Sequence, residues 1–499
     1  MARKTRWWLL GFALLLLGMG CFVVRPAFHL AKTWWNDKDE VTPPAVGHVD
    51  DASRLNETRV AQVWDIPADR TAAEQQLRDL LQWARTRGLR VAIAGARHSM
   101  GGHTIYPDGI VLNMLPFNHI HLDTRTGILH VGAGARWSEV LPYLETHGCS
   151  VAVMQSNNSF SVGGSVSVNC HGWQHNQPPI ASTVQAFRLM KADGTVVRCT
   201  RTENDELFRL VLGGYGLFGI ILDVELLVVP NERYRLESYI MASKDYVEAF
   251  RTIVDPATDI GMVYGRLCIV PGEKDFLREA ILNVFRRAPC ARDEIPPLGH
   301  PGAQTLARTI FRGSVDNDYG KHLRWQAEKE LAPRLAREYY ARNQLLNEGV
   351  EIYQETSAQR TDILHEYFIP PAHFEDFLEQ LRVIIPRHKG DLLNVTVRNV
   401  HRDNDSFLRY ADGEVFGLVM LFNQLRTPEA EARMEAMTRE LIDAAIAVGG
   451  RHYLPYRLHA TPKQLFRSYP QAREFFELKR RHDPQGLFQN QFYRKYGEG

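Results

Sequence analysis

The chain has 499 residues, too many for a single core, so two or three domains are expected. Its hydrophobic content of 44% and charged content of 23% are those of a folded protein and exclude disorder. A net charge of +1 with no long basic block leaves no electrostatic footprint for nucleic acid, and six scattered cysteines without a Cys-x-x-Cys pair argue against a disulfide framework.

In chain order, Arg3, Lys4 and Arg6 precede an uncharged run from Trp7 to Val24, which as a helix would rise roughly 27 Å, about the thickness of a bilayer core. No small-x-small cleavage site follows. Residues 1–30 are therefore expected to form an uncleaved single-span anchor, with a cleaved signal sequence as the alternative. The basic start favours a cytoplasmic N-terminus and an extracytoplasmic catalytic bulk. Residues 31–54, including "NDKDEVTPPAVG", read as a polar, Pro-rich linker.

"TAAEQQLRDLLQWARTR" places Leu77, Leu80, Leu81 and Ala84 on one helical face, with Gly88 as its stop. "RVAIAGA", "GIVLNML" and "GILHVGAG" read as strands, and "WSEVLPYLETHG" as a helix. "STVQAFRLMKADGTVVRC" is a hairpin turning at Asp193-Gly194. "NDELFRLVLGGYGLFGIILDVELLVVP" is a helix, a glycine-rich turn and a long strand. Residues 55–230 thus form an α+β domain. From 231 to 450 the expectation is longer helical stretches separated by strands, a sheet covered by helices, with 451–499 as a C-terminal segment that returns to the site of the first domain. Within it, "HFEDFLEQLRVIIPRH" and "PEAEARMEAMTRELIDAAIAVGG" are helices, and "LLNVTVRNVHRD" and "EVFGLVMLFNQL" are strands.

Three glycine-rich turns carry the chemistry: "GARHSMGGH", "SFSVGGSVSVNCHGW" and "LGGYGLFGII". Glycine lets consecutive backbone N–H groups approach and cradle a diphosphate. Singly these are weak signals, and neither a Walker-A loop nor the dinucleotide Gly-x-Gly-x-x-Gly fingerprint is present in its strand–helix setting. On spacing alone His98 and His103 are also compatible with a metal, but no third ligand is in sight.

The joint order of the three turns resembles the FAD-binding domain of the vanillyl-alcohol oxidase / p-cresol methylhydroxylase type, and within it the aldonolactone oxidases, alditol oxidases and cytokinin dehydrogenases. The resemblance spans residues 55–230 and returns in "HDPQGLFQNQF". It implies FAD as cofactor, cradled by Gly95, Arg97, His98, Ser99 and Met100 of the first turn. Val162, Gly163, Gly164, Ser167, His171 and Gly172 belong to the second, and Gly216, Gly219 and Ile220 to the third. Asn490 matches an asparagine that closes over the flavin, and His98 the histidine that many members bond covalently to it. Ala133 falls where oxygen access is often set, which does not separate an oxidase from a dehydrogenase.

For the chemistry, the resemblance implies hydride transfer from a substrate carbon to the flavin, helped by a base or donor. Arg398 matches an arginine near the flavin, although Thr396 replaces the usual glutamate; a strand-edge ion pair is the competing reading. "PYRLH" departs from the relatives' pattern, leaving Tyr456, Arg457 and His459 as candidate donors or bases, His459 with the most suitable ordinary pKa. Glu366 and Tyr367 are expected at a strand's end, lining the pocket or in solvent. Ser156, Asn157 and Asn158 occupy the place of the cytokinin dehydrogenases' aspartate, which argues against cytokinin oxidation. The expected function is oxidation of an alcohol carbon on a sugar-, polyol-, lactone- or lipid-linked small molecule. O2, a quinone or a cytochrome would take the electrons, and the membrane is a partner through the N-terminal helix. The alternatives are an NAD(P)H-dependent reductase and a flavin-binding protein with a decayed substrate site.

Overall fold

Period-2 strands between residues 62 and 230 sort into two sheets, and the longer strands after residue 232 build a third. The computed structural model describes residues 23–175, 177–272, 274–299 and 304–498. The expected membrane span falls on residues 1–22, outside the described residues, and its last stretch enters the helix Arg25–Asn36. Among the described residues no helix is long and apolar enough to cross a membrane.

A parallel sheet sets Ile110–Asn113 between Gln62–Asp65 and Val91–Ala94. The helix Arg70–Thr86 begins where the Asp69 carboxylate accepts the Ala72 amide at 2.8 Å, an N-cap worth ~1 kcal/mol. It buries Leu77, Leu80, Leu81 and Ala84 against Val91, Ile110 and Leu112. The antiparallel sheet runs in the order Val196–Thr200, Val184–Met190, Ile220–Pro230, Ile128–Gly132, Ile120–Asp123, and Cys149–Val151 pairs with the far end of Ile220–Pro230. The Asp193-Gly194 hairpin forms as expected, with Gly194 at φ +84°. "VGGSVS", read as part of a turn, is the short helix Val162–Ser167.

The third sheet is eight-stranded and antiparallel wherever its pairings are recorded. The expected sheet with helices is present after residue 231, but its first part is richer in strands than the expected longer helical stretches. Arg233–Ala242, Ile260–Leu267 and Glu279–Arg287 are adjacent long strands, interrupted only by a short 3-10 turn and the helix Tyr246–Ile253. Their side chains are partly buried on both faces, which removes the clean alternation that marks a half-exposed strand. The helices Phe374–Arg387 and Pro428–Ala447 cover one face; the other faces the first two sheets.

One boundary shifts. The stretch expected as linker ends in a built structure: His48–Val49 pairs with Thr58–Arg59, and Asp51 between them is buried. Asp51 accepts the Ser53 amide and hydroxyl, the Asn56 side-chain amide and the Gly102 amide, partners that a free linker would not have. At the other end, the C-terminal segment returns to the first sheet. The Val91 amide donates to the Leu487 carbonyl at 2.8 Å, and the Gln489 amide to the Val91 carbonyl at 3.0 Å.

That return rests on a fully buried ion pair between Lys479 and Asp483, whose carboxylate also accepts the Leu487 and Phe488 amides at 2.9 and 2.8 Å. Removing one partner of such a pair strands a charge in a low-dielectric interior. Asp483→Ala is therefore expected to destabilise the protein by about 3–5 kcal/mol in urea unfolding; a change below about 1 kcal/mol, as for an exposed pair, would show that Asp483 does not anchor the segment.

Candidate active site

The three glycine turns converge because each leaves a strand or helix at the same end of the first two sheets. Together with the third sheet they enclose a cavity of about 1120 Å³, above the roughly 300–1,000 Å³ of ordinary ligand pockets. Gly95–Ser99 follow the strand Val91–Ala94, Ser161 precedes the helix Val162–Ser167, and Gly214–Gly219 precede Ile220–Pro230. The turns fit only without side chains. A Cβ at Gly95 would stand 2.0 Å from Ser161 Oγ, the same oxygen that accepts the Ala96 amide at 3.2 Å. Gly216 lies at φ +72°, the left-handed region that glycine enters without cost.

Of the residues expected at the cofactor, Gly95, Arg97, His98, Ser99, Met100, Gly163, Gly164, Ser167, His171, Gly216 and Gly219 line this cavity, as does Ala133. Val162, Gly172, Ile220 and Asn490 do not. Val162 and Ile220 are core residues, and Gly172 packs against the Met154 carbonyl. Asn490, expected to close over the flavin, works from behind. Its side-chain amide donates to the carbonyls of His103 and Tyr215, 2.9 Å each, and so ties two of the turns together. Asp51 does the same for the first turn through Gly102. His98 stacks on Phe160, ring centroids 4.1 Å apart, and burial pushes its pKa down to about 4, leaving the imidazole neutral at neutral pH.

On the opposite wall, period 2 decides what faces the cavity. Asn394, Thr396 and Arg398 of the strand Asp391–Val400 line it, while Val395 and Val397 belong to the hydrophobic core. Leu364 and Glu366 of Arg360–Ile369 likewise point in, and Tyr367 packs against Phe377 of the covering helix. Arg398 donates to Ser156 Oγ at 2.6 Å and to the His171 carbonyl at 3.4 Å, and its buried Nε has no partner. Among the described residues no carboxylate stands within ion-pair distance of it, so the strand-edge salt bridge is absent.

The centre of this wall is Glu366. One carboxylate oxygen lies 2.5 Å from His171 Nε2, and the other accepts the Tyr456 hydroxyl at 3.1 Å. Burial would raise the carboxyl, but the charges of His171 and Arg398 and the hydrogen bonds of His171 and Tyr456 outweigh it and hold Glu366 below its ordinary range. Burial, with Glu366 beside it, raises the Tyr456 phenol well above its usual value. Phe368, Tyr410 and Tyr453 box the His171 ring.

Arg457 and His459, expected as donors or bases, are placed elsewhere. Both turn to Glu431 on the far side of their loop, where His459 Nε2 lies 2.9 Å from it and His459 Nδ1 2.9 Å from Thr438 Oγ1. They edge a separate, smaller depression. Arg457 also donates to the Met100 carbonyl at 3.1 Å, which holds the first turn in place. Of the three candidates Tyr456, Arg457 and His459, only Tyr456 lines the large cavity.

The cavity's polar inventory is incomplete on its own. Ser99 Oγ, Thr104 Oγ1, His171 Nδ1 and Arg398 Nε are buried without hydrogen-bond partners, a cost of about 1–3 kcal/mol each unless a ligand meets them. Side-chain-free turns together with these unpaired polar groups suit a cofactor with a diphosphate and a polar ring system. Fold and site together define a flavoprotein oxidoreductase. Residues 70–200 match the FAD binding domain family and residues 323–496 the D-arabinono-1,4-lactone oxidase family. The chain is 26% identical over 405 residues to the uncharacterized oxidoreductase ORF5 in the fasciation locus of Rhodococcoides fascians, covering 79% of this chain and 84% of that one. It is 30% identical over 157 residues to the L-gulonolactone oxidase of Mus musculus, covering 31% of this chain and 36% of the relative. Against the decaprenylphosphoryl-beta-D-ribose oxidase of Mycolicibacterium smegmatis it is 30% identical over 159 residues, 31% of this chain and 35% of the relative. The chain is an FAD-dependent oxidoreductase, similar to those of the p-cresol methylhydroxylase type.

Because a methyl group at residue 95 has no room beside Ser161, Gly95→Ala is expected to lower the flavin-to-protein absorbance ratio of the purified enzyme several-fold with its far-ultraviolet circular dichroism unchanged. Full flavin occupancy would show that this turn does not hold the cofactor.

Proposed function

We propose that the protein oxidises an alcohol carbon of a sugar-, polyol-, lactone- or lipid-linked substrate, with Glu366 as the base. The observation that carries this is the ionised, buried Glu366 set between His171 and Tyr456 in the flavin cavity. Relatives named for oxidising a gulonolactone and a decaprenylphosphoryl ribose support the substrate class.

Bound FAD supplies the two-electron acceptor. The substrate hydroxyl gives its proton to the Glu366 oxygen that only Tyr456 engages, while the carbon beneath it loses a hydride. Arg398, with its free Nε donor, steadies the negative charge that develops on the substrate oxygen. His171, fixed by its aromatic box, orients the carboxylate. The neutral His98 ring stacked on Phe160 suits covalent attachment of the flavin, for which a free ring nitrogen is the nucleophile. O2, a quinone or a cytochrome takes the electrons onward, and the N-terminal run holds the enzyme on a membrane with its catalytic bulk outside the cytoplasm.

Anaerobic mixing with a panel of polyols, aldoses and lactones is expected to bleach the flavin with at least one of them; bleaching by NADPH alone would overturn the oxidase reading. With the reducing substrate in hand, Glu366→Gln should slow flavin reduction by about 10²–10⁴-fold with flavin content unchanged. Since Glu366 is held below the ordinary carboxylate range, its carboxylate form, and with it the wild-type rate, is present at neutral pH and is lost only in acid, as the pH falls through that lowered value. An acidic limb near neutrality that Glu366→Gln abolishes would contradict this. On acid denaturation, flavin fluorescence should stay with the wild-type polypeptide and leave it in His98→Ala; release from the wild type would reject covalency.

A further inference from the structure

The helix Arg25–Asn36 is amphipathic the wrong way round for a water-soluble surface. Its polar edge grips the body. His29 Nε2–H donates to the Gly313 carbonyl at 3.0 Å, and the Arg25 guanidinium lies 4.0 Å over the Tyr319 ring. Just past its end, Asp37 takes a two-pronged ion pair from Arg308 at 2.6 and 2.7 Å. At 100° per residue, Trp34, Ala27, Ala31, Trp35 and Phe28 fall on one arc of about 120°, opposite His29 and Thr33. That arc is bare: Phe28 and Trp35 are each 70% exposed and Trp34 59%. Soluble proteins turn such a stripe inward.

A second observation lies on the next helix. Arg25–Asn36 packs against Gln304–Arg312, whose Leu306 is both exposed and part of the cavity lining. Leu331 and Leu335 share both properties. The large cavity therefore opens through exposed leucines next to the bare tryptophan face, whereas its interior holds Arg398, Glu366 and Thr396.

We propose that the outward face of Arg25–Asn36 lies in a lipid bilayer surface and that the mouth of the flavin cavity, with Leu306, Leu331 and Leu335, opens onto the same surface. The 12 residues of Arg25–Asn36 extend about 18 Å, a length suited to lie in the interface. Tryptophans concentrate at that depth. Lys32 is exposed at one edge of the arc, where a cation meets headgroups, and the uncharged run Trp7–Val24 leads directly into the helix. A substrate with a polar head and an apolar tail would then reach Glu366 without leaving the lipid. This step rests on the alcohol-oxidation reading, whereas the seating itself is measured without turnover, so the two fail separately.

The test uses the full-length flavin-loaded protein in phosphatidylcholine nanodiscs made with or without brominated acyl chains, reading tryptophan fluorescence. Trp34→Phe/Trp35→Phe is expected to lose a quenchable part of the wild-type emission, and Leu335→Trp to add one. If the double variant is quenched as fully as the wild type, or the tryptophan added at position 335 is not quenched, the face or the mouth is in water and the proposal falls. It falls equally if Phe28→Ser/Trp35→Ser turns a dimer into a monomer on a sizing column, since a second copy would then cover the arc.

Discussion

The 2.5 Å contact between His171 and Glu366 joins the two halves of the molecule across the cavity that they share. His171 comes from the turn after the helix Val162–Ser167, and Glu366 from the strand Arg360–Ile369, next to one edge of the eight-stranded sheet. An ionised carboxylate withdrawn from water costs several kcal/mol unless partners compensate it. Here the compensation comes from both sides: His171 from one lobe, Tyr456 and Arg398 from the other. Arg398 in turn reaches back to Ser156 and the His171 carbonyl. The charged groups that suit the chemistry are thus also the ones that fix how the lobes meet.

Around that contact, the flavin-side turns are held by side chains from distant segments of the chain. Asp51 takes the Gly102 amide, Asn490 the His103 and Tyr215 carbonyls, and Arg457 the Met100 carbonyl. Each arrives from a segment far away in sequence, and each leaves the inward face of its turn free. This arrangement explains why the inner surface keeps unpaired donors such as Ser99 Oγ and Thr104 Oγ1, as a preorganised site must before its ligand arrives.

The glycine turns and the strands that launch them were legible because their signals are local: a tight approach or a left-handed φ needs glycine wherever it falls. Glu366 was not. "RTDILHEYFI" lies in a strand buried on both faces, so the alternation that would assign Glu366 a side is missing, and its partner His171 is 195 residues away. His459 misled for the same reason in reverse. Its ordinary pKa suits a base, but only the fold shows Glu431 and Thr438 capping both ring nitrogens on the far side of the loop. Asp51 was hidden in a stretch whose prolines and charges resemble a linker. Helix Arg25–Asn36 straddles the expected boundary between anchor and linker at residue 30, and its polar grip on Gly313 and Arg308 depends on partners far away in sequence.

The central claim is that His171 and Glu366 act as one unit on the substrate proton. Residues that act as a unit lose their effect once, not twice. The decisive measurement is the anaerobic rate of flavin reduction in His171→Ala, Glu366→Gln and the double variant. The account predicts that the double variant is no slower than Glu366→Gln alone. A double variant slowed by the product of the two single effects would mean that the two residues work independently, and would contradict it.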